Sequence, residues 1–439
     1  MIKMYSVEEA NATILKRVPL HLDDFAPTTI KRVEAIFGAE VTPPQAVEKI
    51  LKSIDNDGDI AVRYWSKTID NFEDEIFSIP KEEIAEAYKQ IPQKTRDVME
   101  ASAKRIISFH ENQPVATWMV DNLDSRLGQR FSAIESVGVY VPGGTAPLPS
   151  SLLMSVIPAQ VAGVKKIVVC TPPQPHPSIL AAAFICGVDE IYQVGGAQAI
   201  AAMAFGTETI PRVNKIVGAG NLFVTLAKQQ LYGFVGLDGL AGPTETMVIA
   251  DTSANPRWIA ADLLAQAEHD VQASAILLTP DKAFAQDVKI EIDKQLLQLS
   301  RSEIIRASLE IKGGIVLVNS IDQAAALANE YAAEHLCLSV VNPEALMEKI
   351  NNAGGFFLGE HSFEVLGDYI AGPSHVMPTG GTARFSSPLN VLDFVKVSSV
   401  IALTPKTAAK LSPIAASFAD TEGLSAHAAA ARARLEGKL

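Results

Sequence analysis

The residues most able to do chemistry in this chain of 439 residues lie in four short clusters that are far apart in sequence. The first follows Asn255-Pro256, where a capping residue and a proline predict the start of a helix. Gln266 and His269 are three residues apart and share one face of that helix. Two ligands at this spacing can bind one cation, although a solvated helix end is the other interpretation.

The second cluster is Glu334-His335, where a predicted helix gives way to a strand. A histidine titrates near neutral pH and can take a proton from an alcohol, and a neighbouring carboxylate can activate a water molecule. The alternative is an exposed acid beside a histidine at the quiet end of the sheet. Adjacent residues do not face one another, so the two groups would act on different atoms or in different steps.

The third and fourth clusters offer further ligands. Residues 367–383 are rich in Gly, Pro, Ser and Thr, which predicts a long loop, and ordered long loops are often functional. Asp368 offers an oxygen ligand there and His375 a nitrogen ligand. His427 follows Glu422 at the start of an Ala-rich terminal helix. Each is also typical of an ordinary surface position.

Taken together, Gln266, His269, Asp368 and His427 would supply two nitrogen and two oxygen atoms. Zinc accepts such a mixed set, and manganese, cobalt or iron could bind it too. The three cysteines are far apart and form no C-x-x-C pair, which indicates neither a thiolate metal site nor a disulfide framework. A reducing compartment fits this cysteine usage.

The elements that must position these groups are those of an α/β protein. β-Branched runs predict strands at 137–141, 166–170, 190–194 and 215–217, then at 247–250, 274–278, 314–318, 336–340 and 355–358. Helical stretches separate them, which predicts two α/β domains with parallel sheets. Residues 1–26 form an arm, 29–112 have helical periodicity, and about the last 50 residues are expected to be helical.

The charge balance limits the partners of the chain. Lys and Arg number 37 against 50 Asp and Glu, a net charge of −13, which argues against nucleic acid or an anionic membrane as a partner. No apolar run reaches membrane-spanning length and no signal peptide is recognisable. A cytoplasmic protein is the expectation.

A nucleotide site is only weakly indicated by the residues themselves. No complete G-x-G-x-x-G follows a strand, and Gly218-Ala219-Gly220-Asn221 is a fragment of such a motif. Residues 194–198 place a glycine turn between a strand and a helix N-terminus, where an anion can bind. Turns of this kind are common in α/β proteins.

Eight short motifs, in their order along the chain, make the sequence resemble the histidinol dehydrogenase family over nearly its whole length. Each motif is weak alone, but the ordered set is specific. The motifs are Val139 to Gly144, Val194 to Ala199, Gly218 to Asn221, Ala241 to Glu245, Gln266 to His269, Glu334 to Leu336, His375 to Thr379, and Ala426-His427.

The resemblance implies a role for each matching residue. It implies one zinc ion per subunit of a homodimer, held by Gln266, His269, Asp368 and, from the partner subunit, His427. It implies that Glu334 and His335 are catalytic and that NAD contacts Tyr140, Gln198 and Asn221. The substrate contacts that it implies are Thr244, His375 and Glu422, together with the four zinc ligands and His335.

The resemblance also implies the reaction and a division into domains. The family oxidises L-histidinol to L-histidinal and then to L-histidine, the last steps of histidine biosynthesis, and reduces two NAD. Residues 136–242 would form the NAD-binding domain, an incomplete Rossmann-like variant, and 27–135 with 243–389 a discontinuous domain carrying the catalytic and metal residues. Residues 1–26 would form an arm, and 390–439 a helical segment that completes the partner's site.

Some positions depart from the family pattern. Thr244 stands where the family usually has Ser, Ala219 where Pro is commoner, and 236–240 differ. Another small alcohol, such as a sulfonated diol, is therefore an alternative substrate, although Glu422 and His375 favour the imidazole of histidinol. A two-lobed small-molecule-binding protein is an alternative of another class, against which the ligand set and the unrecognised signal peptide speak.

Overall fold

The computed structural model describes residues 2–17, 25–74, 76–121, 125–143 and 147–436. The chain divides into two compact units. The first contains Met1–Asn112 and Glu135–Asp393, and the second contains Gln113–Ile134 and Phe394–Leu439. Residues 18–24 of the expected arm and Gly144 of the first motif lie outside the described residues.

The described residues contain strands and helices in an order that alternates through most of the first unit. The strands are β1 Met4–Ser6, β2 Trp118–Val120, β3 Ser125–Ala133, β4 Ser136–Tyr140, β5 Lys166–Thr171, β6 Ile191–Gln193, β7 Lys215–Val217, β8 Gly236–Leu237, β9 Glu245–Ala250, β10 Ser274–Thr279, β11 Gly314–Leu317, β12 His335–Ser339, β13 Gly355–Leu358 and β14 Val395–Leu403. The helices are α1 Val7–Ala12, α2 Pro27–Phe37, α3 Pro43–Asp70, α4 Lys81–Gln90, α5 Gln93–Glu111, α6 Pro149–Val161, α7 Pro177–Cys186, α8 Gly196–Phe205, α9 Leu222–Leu231, α10 Pro256–Ala267, α11 Lys282–Leu296, α12 Ser302–Ile311, α13 Ile321–Tyr331, α14 Pro343–Met347, α15 Glu364–Tyr369, α16 Pro405–Thr421 and α17 Ser425–Glu436, with short 3-10 turns at Thr382–Arg384 and Val391–Phe394.

A five-stranded parallel sheet occupies the middle of the first unit. Its strand order is β6-β5-β4-β7-β8. Within this sheet the chain enters at β4 and continues outward through β5 to β6. It then returns to the other side of β4 to form β7 and β8, so the strand order reverses between β4 and β7. Ligands of open parallel sheets bind at the carboxyl ends of strands at such a reversal. The predicted incomplete Rossmann-like sheet is confirmed.

The long helix α3 packs on this sheet. Its buried apolar positions, including Val47, Ile50 and Val62, share a core with Val168 of β5 and Ile200 of α8. Burial of each such side chain contributes about 1.5–3 kcal/mol. The sequence placed residues 27–135 with the other sheet, whereas the contacts of α3 join it to this one.

A six-stranded parallel sheet forms the other part of the first unit, in the order β1-β11-β10-β9-β12-β13. Every residue of β9 and β10 is buried, because helices cover both faces of the sheet. This double coverage explains the continuous apolar runs from which the strands were predicted. The short edge strand β1 was not predicted, since three residues carry no periodic signal.

The second unit is a three-stranded antiparallel sheet followed by two helices. β14 pairs with β3 over nine residues, from Val395 opposite Ala133 to Leu403 opposite Ser125, and β2 pairs with the other edge of β3. The helices α16 and α17 pack through small alanines. The helical prediction for the last 50 residues is therefore wrong for 395–403. No helix in the described ranges is long and apolar enough to cross a membrane.

A buried ion pair fixes the loop after β7. Lys228 is only 2% exposed, and its ammonium group donates to the Gly218 carbonyl oxygen (3.0 Å) and to the Asp238 carboxylate. The other oxygen of Asp238 accepts from the Gly218 amide at 2.7 Å. Gly218 has φ +108°, and a Cβ there would lie 2.2 Å from the Tyr140 carbonyl oxygen. The ion pair thus holds the glycine loop against the end of β4.

We expect Lys228→Met to lower the free energy of unfolding by about 3–5 kcal/mol, because the substitution leaves the Asp238 carboxylate buried without its cation. Urea titration followed by circular dichroism measures the change. Lys52→Met is the matched control, since Lys52 and Glu48 form an exposed pair whose loss costs less than about 1 kcal/mol. Equal effects of the two substitutions would contradict the structural role of the buried pair.

Candidate active site

A cavity of about 200 Å³ lies in the first unit, between the carboxyl end of the five-stranded sheet and the amino end of the six-stranded sheet. Both sheets contribute to its wall, as do α6 and the segment after α15. The lining residues include Tyr140, Pro142, Ser151, Gly218, Thr244, His269, Glu334, His335, Glu364, Asp368, His375 and Thr379. Seven of the sequence-predicted site residues are therefore brought to one cavity.

Glu334 is held at this cavity by two hydrogen bonds to one carboxylate oxygen. The Thr244 hydroxyl donates to Oε2 at 2.5 Å, and the Glu245 amide donates to the same atom at 2.9 Å. Glu334 is only 6% exposed, and burial raises its pKa to about 7. The group can therefore change protonation state near neutral pH.

His335 presents one free nitrogen to the cavity. It is 3% exposed, and its Nδ1 lies 3.2 Å from the Glu245 carbonyl oxygen. Because a carbonyl oxygen only accepts, this contact places the ring proton on Nδ1. Nε2 is buried without a hydrogen-bond partner and lies 3.8 Å from Oδ1 of Asp368. This lone pair is available to take a proton.

Gln266 and His269 come from the end of α10. The Asn255 side chain caps the helix by accepting from the Arg257 amide at 3.0 Å, as predicted. The helix ends at Ala267, so His269 lies beyond it, but the His269 amide still donates to the Gln266 carbonyl oxygen at 3.3 Å. Gln266 is fully buried, and its Nε2 donates to the Thr244 hydroxyl at 2.9 Å.

Asp368 lies in α15 rather than in a loop, which corrects the prediction for the start of 367–383. Its backbone carbonyl accepts from His375 Nδ1 at 2.8 Å, and His375 Nε2 lies 3.4 Å from the Ser151 hydroxyl. Burial lowers the pKa of His375. Sequence reasoning missed Ser151 and Glu364, which belong to no motif, and Glu364 is buried with a pKa raised well above its usual value.

The chemistry of the expected ligands suits zinc, which accepts nitrogen and oxygen donors. Gln266 Oε1 is buried and has no hydrogen-bond partner, although its amide nitrogen is paired. An unpaired buried carbonyl oxygen is costly unless a ligand satisfies it. Within the described part of the chain, no three His, Cys, Asp or Glu side chains are grouped to hold a metal. Of those four types the expected set contains His269 and Asp368 in the first unit, and the remaining expected ligand, His427, belongs to the second unit.

A second cavity of about 410 Å³ contains all three residues expected to contact NAD, namely Tyr140, Gln198 and Asn221. Gln198 is fully buried; its Nε2 donates to Asp70 at 2.8 Å, and its Oε1 has no partner. The Tyr140 hydroxyl accepts from the Gly196 amide at 3.1 Å, which leaves its proton free to donate. The cavity therefore offers one unpaired acceptor and one free hydroxyl donor to a bound molecule.

Tyr140 and Pro142 line both cavities, so the two spaces meet at the end of β4. Asn221 caps α9 by accepting from the Phe223 and Val224 amides at 3.0 and 3.2 Å. The helices α2 and α3 supply the outer wall through Arg32, Phe37 and Asp70, among others. Sequence reasoning missed these three, because nothing in the helical pattern of 29–112 marks a binding surface.

Glu422 and His427 lie in the second unit. Glu422 is the C-cap residue of α16, and His427 is in the first turn of α17. Both side chains are exposed. Their expected roles as substrate contact and zinc ligand in a partner's site stay predictions.

Known proteins resemble this chain over most of its length. The family model described as histidinol dehydrogenase matches residues 39–435. Histidinol dehydrogenase from Thermus thermophilus is 49% identical over 387 residues, covering 88% of this chain and 93% of that protein. That from Deinococcus radiodurans is 46% identical, covering 93% and 94%. A crystal structure of histidinol dehydrogenase from Elizabethkingia anophelis superposes with a TM-score of 0.90, at 35% identity, over 99% of this chain and 98% of that one.

We expect Glu334→Gln to stabilise the metal-free protein at pH 8 by up to about 3 kcal/mol and to have little effect at pH 4.5. Burial raises the pKa of Glu334 in the folded protein to about 7, above its ordinary value of 4.5, so the fold disfavours the carboxylate increasingly as the pH rises from 4.5 to 7. Urea titration at both pH values measures the difference. Glu48→Gln, at an exposed position, is the control; a gain that does not depend on pH would contradict the explanation.

Proposed function

Because the chain belongs to the histidinol dehydrogenase family, we propose that it oxidises L-histidinol through L-histidinal to L-histidine with two NAD, completing histidine biosynthesis. The observation that carries the proposal is the unpaired Nε2 of His335, buried in a cavity beside Asp368 and next to the fixed carboxyl group of Glu334. Neither a sulfonated diol nor a non-enzymatic binding role is favoured by relatives that are named as histidinol dehydrogenases.

The overall reaction takes one alcohol, one water molecule and two NAD⁺ to one carboxylate, two NADH and three protons. Two hydride ions leave the substrate carbon, one in each oxidation. The protons come from the alcohol, from the water and from the hydrate formed between the steps. The protein must therefore supply a base at the reacting oxygen in each step.

In the first oxidation His335 takes the alcohol proton on Nε2. The Glu245 carbonyl keeps the other proton of the ring on Nδ1, so the correct tautomer is present before substrate binds. The imidazolium that forms lies 3.7 Å from Glu334 and 3.8 Å from Asp368, measured between nitrogen and oxygen atoms. These carboxyl groups stabilise the positive charge as it develops.

In the second oxidation Glu334 takes a proton from the water that attacks the aldehyde. Its pKa of about 7 lets it accept that proton and release it again near neutral pH. The Thr244 hydroxyl and the Glu245 amide fix Oε2, so Oε1 is the oxygen left for water. Adjacent residues thus serve successive steps.

The bound groups complete the site. NAD accepts hydride, and Tyr140, Gln198 and Asn221 would hold it. Gln266, His269 and Asp368 would hold zinc together with His427 of a partner subunit, and the ion would supply a Lewis acid that anchors the nitrogen-rich substrate. Borderline-soft zinc suits nitrogen ligands.

The proposal includes a homodimer in the cytoplasm. His427 and Glu422 would be donated to the partner's site, which supplies the fourth zinc ligand that one chain lacks. Three buried, unpaired cysteines support a reducing compartment. Residues 136–242 would bind NAD, with the helices α2 and α3 completing the pocket, and 243–389 would carry most of the catalytic and metal residues.

Counting NADH under anaerobic conditions tests the reaction. We expect two NADH for each L-histidinol consumed by the zinc-loaded protein, and none for a sulfonated diol. His335→Asn should lower the rate of the first oxidation by about 10²–10⁴-fold, because it removes the general base. Zinc content by mass spectrometry should be unchanged. One NADH per histidinol, or unchanged turnover in the variant, would contradict the proposed reaction or the role of His335.

Mixing two inactive variants tests the shared site. If His427 acts in the partner's site, a heterodimer of His335→Asn and His427→Ala chains has one intact site and one site with both defects. After unfolding and refolding together, random pairing at equal amounts should restore about a quarter of the wild-type activity, by the isologous symmetry of a dimer. A site formed within one chain predicts no restored activity, and chains mixed without refolding are the control.

A further inference from the structure

We propose that Arg17, in the N-terminal arm, is a positioning residue for the catalytic pair and acts through the backbone of Glu245. The inference rests on the proposed roles of Glu334 and His335. Neither Arg17 nor Glu245 is part of the expected site, and neither lines its cavity.

Arg17 connects two segments that are far apart in sequence. Its guanidinium group binds both carboxylate oxygens of Glu245, with Nη2 to Oε2 at 2.8 Å. It also donates from Nε to the Tyr331 carbonyl oxygen at 2.8 Å and from Nη2 to the Ala332 carbonyl oxygen at 3.3 Å. The guanidinium carbon lies 3.5 Å from the centre of the Tyr331 ring. The positive charge of the guanidinium group thus pairs with Glu245, and its planar face packs against the Tyr331 ring.

The two segments are those that place the catalytic pair. Glu245 begins β9, and its amide donates to Glu334 while its carbonyl accepts from His335. Tyr331 ends α13, and Ala332 turns the chain with φ +54° directly before Ala333 and Glu334. Arg17 therefore fixes the backbone of Glu245, which orients both proposed catalytic groups, and the turn that precedes them.

The charge of Arg17 is required because Glu245 is only 7% exposed. Among the described hydrogen bonds, the Glu245 carboxylate accepts from one donor besides Arg17, the Gly380 amide, which lies 3.2 Å from Oε1. Without the guanidinium group the carboxylate would stay buried with one neutral donor, which is costly, so the peptide would move toward water. Lysine cannot replace the two-pronged contact, since its ammonium group is a point charge.

A shift of the Glu245 backbone alters the rate of catalysis more than it alters substrate binding. Gln266, His269 and Asp368 lie on other elements and do not contact Arg17 or the Glu245 side chain among the described hydrogen bonds. We expect Arg17→Met to lower kcat about 10- to 100-fold, as loss of a supporting contact or a misplacement of about 1 Å does. KM for L-histidinol should change less than about threefold, since ground-state binding is retained.

The experiment compares Arg17→Met with Arg384→Met in the zinc-loaded full-length protein. Arg384 is a matched control: it donates to the Glu330 carbonyl oxygen at the end of the same helix but makes no described contact with Glu245. Zinc content, circular dichroism and melting temperature are measured with kcat and KM. Guanidinium chloride at millimolar concentration is then added to Arg17→Ala, whose short side chain leaves the space of the guanidinium group open, and it should restore kcat of that variant but not of Arg384→Met. Arg17→Lys should remain folded with kcat below that of the wild type.

The outcomes separate the inference from the function on which it rests. Loss of kcat without loss of zinc, with rescue by guanidinium, supports the positioning role. A lower melting temperature with unchanged kcat in Arg17→Met and Arg17→Lys overturns it and leaves the proposed function intact. If Arg17→Met does not fold, the kcat of Arg17→Lys decides in the same way. A wild-type protein that forms no NADH from L-histidinol overturns the proposed function itself.

Discussion

The pairing of β9 with β12 is the constraint on which the site depends. The parallel register places His335 opposite Thr246, and so brings the start of β9 beside the start of β12. Parallel ladders fix neighbouring backbones to within a residue, and a slip would turn every side chain to the other face. The register therefore lets the backbone of one residue, Glu245, hold both of the proposed catalytic groups: its amide donates to Glu334 and its carbonyl accepts from His335.

The two sheets of the first unit line the smaller cavity with opposite ends of their strands. Setting aside the edge strand β1, each sheet winds outward from its first strand and then returns to the other side of it. The five-stranded sheet presents its carboxyl end, at Tyr140 and the Gly218 loop, whereas the six-stranded sheet presents its amino end, at Thr244 and His335. The cavity lined by Gln198 and the cavity lined by His335 can meet because the loops at the carboxyl end of one sheet face the strand starts of the other.

The sequence predicted those elements whose structure follows from the local pattern of residues. Buried parallel strands were visible as apolar runs, because both of their faces are covered. β14 was missed because it is a mostly exposed strand, on which apolar and polar residues are mixed, beside an Ala-rich helical stretch. Asp70 and Arg17 were missed for another reason: their partners Gln198 and Glu245 lie 128 and 228 residues away, and no local signal marks such contacts. The motif residues were found through their ordered resemblance, since spacing alone left each cluster with an ordinary alternative.

The edge strand β1 bears on how the molecule forms during synthesis. Met4 pairs with Ile315, a separation of 311 residues (315 − 4). At about 5–20 residues per second, a ribosome needs roughly 15–60 seconds to reach the partner strand. Contacts of such long range also form slowly. Residues 4–6 must therefore wait, unpaired, until Ile315 and its neighbours have been made, and chaperones that bind nascent chains would meet this segment before its own sheet does.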